Sequence, residues 1–228
     1  GDTIRFDCGF YDLTSTLLLT QTEGVTIKGC GMDETVLSFR NSDGVEGLLI
    51  DEVRGVVIED LTVADPAGNG IEMRNVDHGT VRSVRAFWSS GGGRESPNPV
   101  TADNYAGDDS PLHVACTDPA TQDPDSSLFN GPNADISSPD YTVSDKAGRY
   151  GIYPVKSKNI LIEETESIGA SDAGIYVGQT STAIIRNSRA AYNVFGFEIE
   201  NVRHGEYAYN LAECNTGGFL IYDLDNLT

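Results

Sequence analysis

Tyr153, Tyr176, Glu198 and Asp172 are the residues of this chain whose types and spacing are best suited to moving protons on a sugar chain. Tyr153 and Tyr176 lie 23 residues apart and Glu198 follows 22 later. A companion series two residues on holds Arg74, Glu200 and Tyr222, with Glu72, Arg149 and Lys156 alongside. Aromatic rings and acids on one face suit a polysaccharide, whose rings stack and whose hydroxyls hydrogen-bond. Glu72, Arg74, Arg149, Lys156, Glu200 and Tyr222 are the candidate binding set. A lyase or epimerase acting on a uronate needs a cation for the carboxylate, together with a base and an acid. Tyr153 or Tyr176 fills the last two roles if Arg149 or Lys156 lowers its pKa from about 10. A glycoside hydrolase needs two carboxylates roughly 5 Å apart if retaining and roughly 6.5–9.5 Å if inverting. Glu198 with Asp172 or Glu200 is the candidate pair.

These offsets belong to a repeat that must position the side chains. A Gly followed by a large apolar residue recurs at Gly47, Gly70, Gly151, Gly174, Gly196 and Gly218, with spacings of 23, 81, 23, 22 and 22. Ile58, Val81, Ile162, Ile185 and Ala208 form a second series that makes the same jump of 81. Within each repeat, segments such as Gly174-Ile175-Tyr176-Val177-Gly178 alternate with period two, which reads as strand. A strand-only repeat cannot bury its own apolar face, so it must stack on its neighbours at about 4.8 Å. Ile71, Ile152, Ile175, Phe197 and Phe219 then point inward, and Asp60, Ser83, Glu164, Asn187 and Asn210 line one polar corner. Asn187 and Asn210 there could begin an asparagine ladder that satisfies backbone groups.

On these residues the chain resembles right-handed parallel β-helix proteins: all-β, a single-stranded solenoid with one long loop insertion. The runs Gly151-Ile152-Tyr153-Pro154-Val155 and Ser171 to Gln179 are similar to an exported bacterial β-helix group, itself similar in fold to the pectin- and alginate-modifying clan. The resemblance implies export and a face that binds or modifies polysaccharide. Some members of that group accompany an exported cytochrome-like protein, which implies the alternative of a non-catalytic scaffold docking a protein partner. Three family motifs are missing. The Asp-Pro pairs continue as Asp65-Pro66-Ala67, Asp118-Pro119-Ala120 and Asp123-Pro124-Asp125 rather than Asp-Pro-His-Glu, Asp108-Asp109 stands alone in the insertion, and Arg-x-Pro-x-x-Arg does not occur. The family's catalytic residues therefore have no positions here to occupy.

The surplus of 58 residues at 91–148 interrupts the repeat, leaving coils at 1–90 and 149–228 around one loop-rich insertion in a single domain. Entry and exit directly on strands suggest a segment of a longer chain. Long excursions are often functional, and this one is expected to stand beside the Tyr/Glu face as a groove wall carrying His113, or to be a packed flap. Cys8 and Cys30, 22 residues apart, are about one coil from each other and close enough to pair. A Cys116–Cys214 bridge would pin the insertion. Four cysteines with no Cys-x-x-Cys argue for an exported, oxidised protein over a metal site, although spacing alone leaves the connectivity open.

A formal charge of −20 argues against nucleic acid, and no apolar run of 18 residues offers a membrane span. Acid density invites calcium, for which Asp118, Asp123 and Asp125 form the best cluster, but no calcium-loop pattern is present. His78 and His204 occupy the same His-Gly turn three coils apart, too far to share a metal. If the second bridge forms, reduction should loosen 91–148. Limited proteolysis that cuts this stretch at the same rate with and without reductant would refute a pinning disulfide.

Overall fold

The computed structural model describes residues 1–89, 99–113, 148–223 and 225–227, and every regular element among them is a strand. The strands stack in three parallel faces. The first face runs β1 (Asp2–Arg5), β4 (Glu23–Lys28), β7 (Arg54–Ala64), β9 (Asp77–Phe87), β11 (Lys158–Glu163), β14 (Ser181–Arg186), β17 (Arg203–Ala208) and β20 (Asp225–Leu227). The second runs β3 (Leu17–Thr20), β6 (Leu48–Asp51), β8 (Ile71–Arg74), β10 (Ile152–Val155), β13 (Ala173–Gly178), β16 (Phe195–Glu200) and β19 (Gly217–Tyr222). The third is built by β2 (Gly9–Asp12), β5 (Thr35–Ser38), the far halves of β7 and β9, β12 (Glu166–Ile168), β15 (Arg189–Ala191) and β18 (Leu211–Glu213). Eight successive rungs on the first face make this a parallel β-helix.

The repeat read from the glycines is the structural register. Leu48, Ile71, Ile152, Ile175, Phe197 and Phe219 pair in turn, so the 81-residue jump is a single rung step. The glycine ahead of each is a steric requirement: a methyl group at Gly47, Gly70, Gly151, Gly174 or Gly196 would press on the carbonyl oxygen of the equivalent glycine one rung along. The second series needs a correction at its end. Ile185 pairs with Tyr207, not Ala208, because the last repeat is 22 residues here as in the glycine series.

The same slip moves the polar corner. Asp60, Ser83, Glu164, Asn187 and Tyr209, rather than Asn210, take the left-handed conformation that turns the chain between the first and third faces. Asn210 sits one residue on and caps the neighbouring rung, accepting from Ser188 N at 3.0 Å and donating to Ile185 O at 2.8 Å. The asparagine stack lies at the next corner. There Asn193 accepts from Ala170 N at 2.8 Å, and Asn215 accepts from Asn193 N at 2.8 Å and from Asn193 Nδ2 at 3.0 Å. These side chains satisfy corner amides that no strand pairs.

On the outside of the first face Lys28, Glu59, Arg82, Glu163 and Arg186 stack with alternating charge. Lys28 reaches Glu59 at 2.9 Å, and Arg82 and Arg186 both reach Glu163 at 2.6 Å. The cations of these pairs stand in solvent, so the pairs add little stability; repulsion between like charges is what the order avoids.

The described part of the insertion, residues 99–113, packs as a flap on another face. Val100 and Leu112 are buried against Val36, Ala64, Phe87, Ile168 and Ala191, a second core on the outer side of the third face, and Tyr105 meets the Phe10 ring at 5.9 Å. That face is apolar on both sides and needs a cover, so residues 99–113 pack there instead of walling the second face. His113 goes with them, 3.3 Å from Asp33, which also pairs with Arg85 at 2.8 Å. Cys8 and Cys30 form a disulfide across one rung, with Cα atoms 5.3 Å apart. Cys116 lies outside the described residues, as do Asp118, Asp123 and Asp125.

The outgoing arm of the insertion is tied to one buried acid. Asp65 accepts from Ser89 N at 2.6 Å and Ser89 Oγ at 2.8 Å, and Ser89 Oγ in turn accepts from Val100 N at 3.0 Å. Burial raises the Asp65 pKa from 3.8 to about 6, against the opposing pull of the Ser89 donors and the Arg40 charge. A raised carboxyl stabilises the fold fully below its unfolded pKa and loses that contribution as pH climbs through about 6. The shift is worth roughly 3 kcal/mol. Asp65→Asn should therefore flatten the fall in stability between the ordinary value of 3.8 and about 6, measured by denaturant melts of both proteins; parallel curves would show that Asp65 does not titrate in this range.

Candidate functional site

The second face projects two outward columns in the register the repeat required. Leu49, Glu72, Tyr153, Tyr176, Glu198 and Leu220 form the first, and Asp51, Arg74, Val155, Gly178, Glu200 and Tyr222 the second. Tyr153 and Tyr176 lie on successive rungs with ring centroids 5.0 Å apart. Tyr150, at the corner just before Gly151, closes the group at 4.6 Å from Tyr153 and 4.9 Å from Tyr176. The Arg149 guanidinium sits over the Tyr150 ring at 5.4 Å and 3.6 Å from Asp172.

Around the rings, polar side chains brace one another diagonally between rungs. Tyr176 donates to Glu200 at 2.6 Å and Tyr222 to Glu198 at 3.2 Å. Gly178 makes the first of these possible, since a Cβ there would overlap the Tyr176 ring that crosses it. Asn69 donates to Glu72 at 2.8 Å, and Arg74 lies 3.4 Å from both Glu72 and Asp51. A groove of about 510 Å³ runs beside Tyr153 and Tyr176, lined by Glu72, Arg74, Lys156 and Gln179 among others. Lys156 takes a left-handed corner conformation on the ridge between this groove and a larger polar one of about 1200 Å³ along the corner toward the first face.

The electrostatics run opposite to what a tyrosinate base requires. Burial, then the Glu200 hydrogen bond and charge, holds the Tyr176 phenol far above its ordinary pKa. Burial and Asp172 do the same for Tyr150, and burial and Glu72 for Tyr153, with Arg149 opposing in both. Tyr222 is raised by burial and by Glu200. Glu198 is held above the usual carboxylate range by burial and Asp172, with Tyr222 pulling the other way. The face is thus a set of protonated phenols among carboxylates, one of which retains its proton more readily than an ordinary glutamate.

Of the residues chosen from sequence, Tyr153, Tyr176, Glu198, Glu200, Glu72, Arg74, Tyr222, Asp172 and Arg149 share this face, and Lys156 borders it. His113 does not join them. His78 and His204 are left-handed corner residues, three rung steps apart along β9, β11, β14 and β17. Tyr150 escaped the sequence reading because it falls outside both columns; an aromatic immediately ahead of an anchor glycine was the available signal. Among the described residues the group close enough to share a metal is Cys8, Cys30 and Glu34, and its two sulfurs are one disulfide.

No family model matches the chain, and no curated protein matches it. Among solved structures, an alginate lyase from Paenibacillus sp. str. FPU-7 is similar over 99% of this chain and 93% of its own, with a TM-score of 0.37 and 10% identity. A likeness at that level says nothing about the side chains of the second face.

Because Glu200 is what chiefly adds to burial at Tyr176 and Tyr222, Glu200→Gln should bring both phenols' ionisation to lower pH. Ultraviolet difference titration of the two proteins would read this directly; superimposable curves would mean that the Tyr176–Glu200 contact does not hold the proton.

Proposed function

We propose that this chain binds polysaccharide on the second face, in an exported and oxidising setting. The observation that carries the reading is the platform of Tyr150, Tyr153 and Tyr176, three rings within 5.0 Å of one another on a rigid sheet and bordered by a polar groove. Sugar rings present C–H faces that pack on aromatic π-faces, and their hydroxyls find acceptors in Glu72, Glu198 and Glu200 and donors in Arg74, Lys156 and Gln179. The Cys8–Cys30 disulfide supports an oxidising compartment. No helix among the described residues is long and apolar enough to cross a membrane.

The polar surroundings of the rings favour glycan over a docked protein. The large exposed apolar side chains fall mainly on the terminal rungs, at Ile4, Leu18, Leu211, Phe219 and Ile221, and Tyr222 on the platform's own face turns its hydroxyl to Glu198. Should the bound chain be turned over, Glu198 is the group placed to deliver a proton. Tyr153, Tyr176 and Asp172 then serve as hydrogen-bonding and positioning groups around it, because phenols held protonated among carboxylates are poor bases.

Affinity measurements against neutral and charged polysaccharides, with and without calcium, test the reading. Tyr176→Ala should weaken binding about tenfold, equivalent to about 1.4 kcal/mol, with an unchanged thermal melt. Unaltered affinity in a folded Tyr176→Ala protein would remove this face from the function, and product formation on any bound polymer that vanishes in Glu198→Gln would establish catalysis.

A further inference from the structure

The charges around the platform do not balance, and the imbalance has a chemical reading. Arg74 is held between Asp51 and Glu72, and Arg149 is held by Asp172 and the Tyr150 ring. Glu198 and Glu200 have no cationic partner among the described residues. Their donors are neutral: the Tyr222 phenol for Glu198, and the Tyr176 phenol and Asn201 amide for Glu200. Glu198 is only 9% exposed, so most of its hydration is gone and no protein charge replaces it. An ion in that position is costly unless something else supplies the opposite sign. Asp172 and Glu200 add their own negative charge to the same spot.

Resting on the glycan reading above, we infer that the platform takes an amino-sugar polymer with free ammonium groups, one ammonium lying between Glu198 and Glu200 while the adjoining ring packs on the half-buried Tyr150 and Tyr153 rings that the buried Tyr176 supports. Tyrosine faces attract cations as well as C–H groups, so platform and carboxylates favour the same ligand. A metal ion held by three carboxylates does not fit, since no three acids of this face bring oxygens within 4.8 Å of one another. A uronate polymer does not fit either. Its carboxylates would lie against Glu198 and Glu200, and Arg74 and Arg149 would have to leave Glu72, Asp51 and Asp172 to meet them. The chain's net charge of −20 works in the same direction, raising the local concentration of a cationic polymer and repelling an anionic one.

Calorimetric titration with three oligosaccharides of equal length separates the possibilities: a fully deacetylated hexosamine oligomer, its N-acetylated counterpart and a uronate oligomer, each in low and high salt. The free-amine oligomer should bind at least tenfold more tightly than the acetylated one. That ratio should shrink severalfold in high salt and collapse toward one in Glu198→Gln. Glu200→Gln, expected to reduce the ratio in the same way, serves if Glu198→Gln does not fold. Equal or tighter binding of the acetylated or uronate oligomer, still weakened by Tyr176→Ala, would overturn the ammonium inference and leave the glycan platform standing. A folded protein that binds none of these three nor any other polysaccharide would overturn both.

Discussion

Parallel, in-register stacking places every residue about 4.8 Å from its equivalent on the next rung, and nearly every feature of this molecule answers to that spacing. Apolar residues gain from it, so the inner columns are mainly Ile, Leu, Val and Phe, with smaller residues such as Gly79, Ala183 and Ala190 between them. Charged residues lose by it unless the sign alternates, as it does from Lys28 through Glu59, Arg82 and Glu163 to Arg186. These ladders add little stability, but skipping a rung would set Arg82 on Arg186 or Glu59 on Glu163 along the face. Their role is closer to specifying the pairing than to strengthening it. The asparagine stack of Asn193 and Asn215 uses the spacing in a third way, because an amide can accept from one rung and donate to another.

Corners carry the remaining constraint. Each face must end in a residue that tolerates a left-handed backbone. The column Gln21, Glu52, Asn75, Lys156, Gln179, Asn201 and Asp223 shows polar side chains accepting that cost in seven rungs. The third face adds a different demand. Ala64, Phe87, Ile168 and Ala191 turn apolar side chains outward, and a solenoid has no second layer to cover them. Residues 99–113 supply that layer, and the buried Asp65–Ser89–Val100 chain anchors it at the root. Residues 99–113 are thus placed by packing, on a face other than the one that carries the tyrosines.

How much of this was legible in the sequence follows from which signals are periodic. Glycine followed by a large apolar residue recurs because a carbonyl of the next rung forbids any side chain, and so both columns of the second face could be placed to the residue. The last rung slipped by one in the other series because Ala208 looks apolar and Tyr207 looks like a surface residue, whereas the 22-residue step belongs to every face alike. The direction of the insertion was hidden for a related reason. An outward apolar column is indistinguishable in sequence from an inward one when strands are three residues long. Tyr150 was missed because its place in the site comes from ring packing across a corner, which no strand period encodes. Spacing, finally, could bring tyrosines and carboxylates onto one face without revealing that the phenols would be buried among acids and so hold their protons.

That last point decides what kind of surface the second face is. Ring separations of about 5 Å between Tyr153 and Tyr176 are imposed by the backbone repeat and not negotiated by the side chains. The Tyr176 ring is further fixed by the empty space at Gly178 and by the bond to Glu200. A platform assembled this way exists before any ligand arrives, so little side-chain entropy remains to be lost on binding. The same rigidity limits electrostatic adjustment. Arg74 and Arg149 are committed to Glu72, Asp51 and Asp172, and the sheet cannot rotate another cation toward Glu198 and Glu200. Ordered rings beside carboxylates without a protein counter-charge form a surface whose complement is apolar on one side and cationic on the other, and that complement has to come from outside the chain.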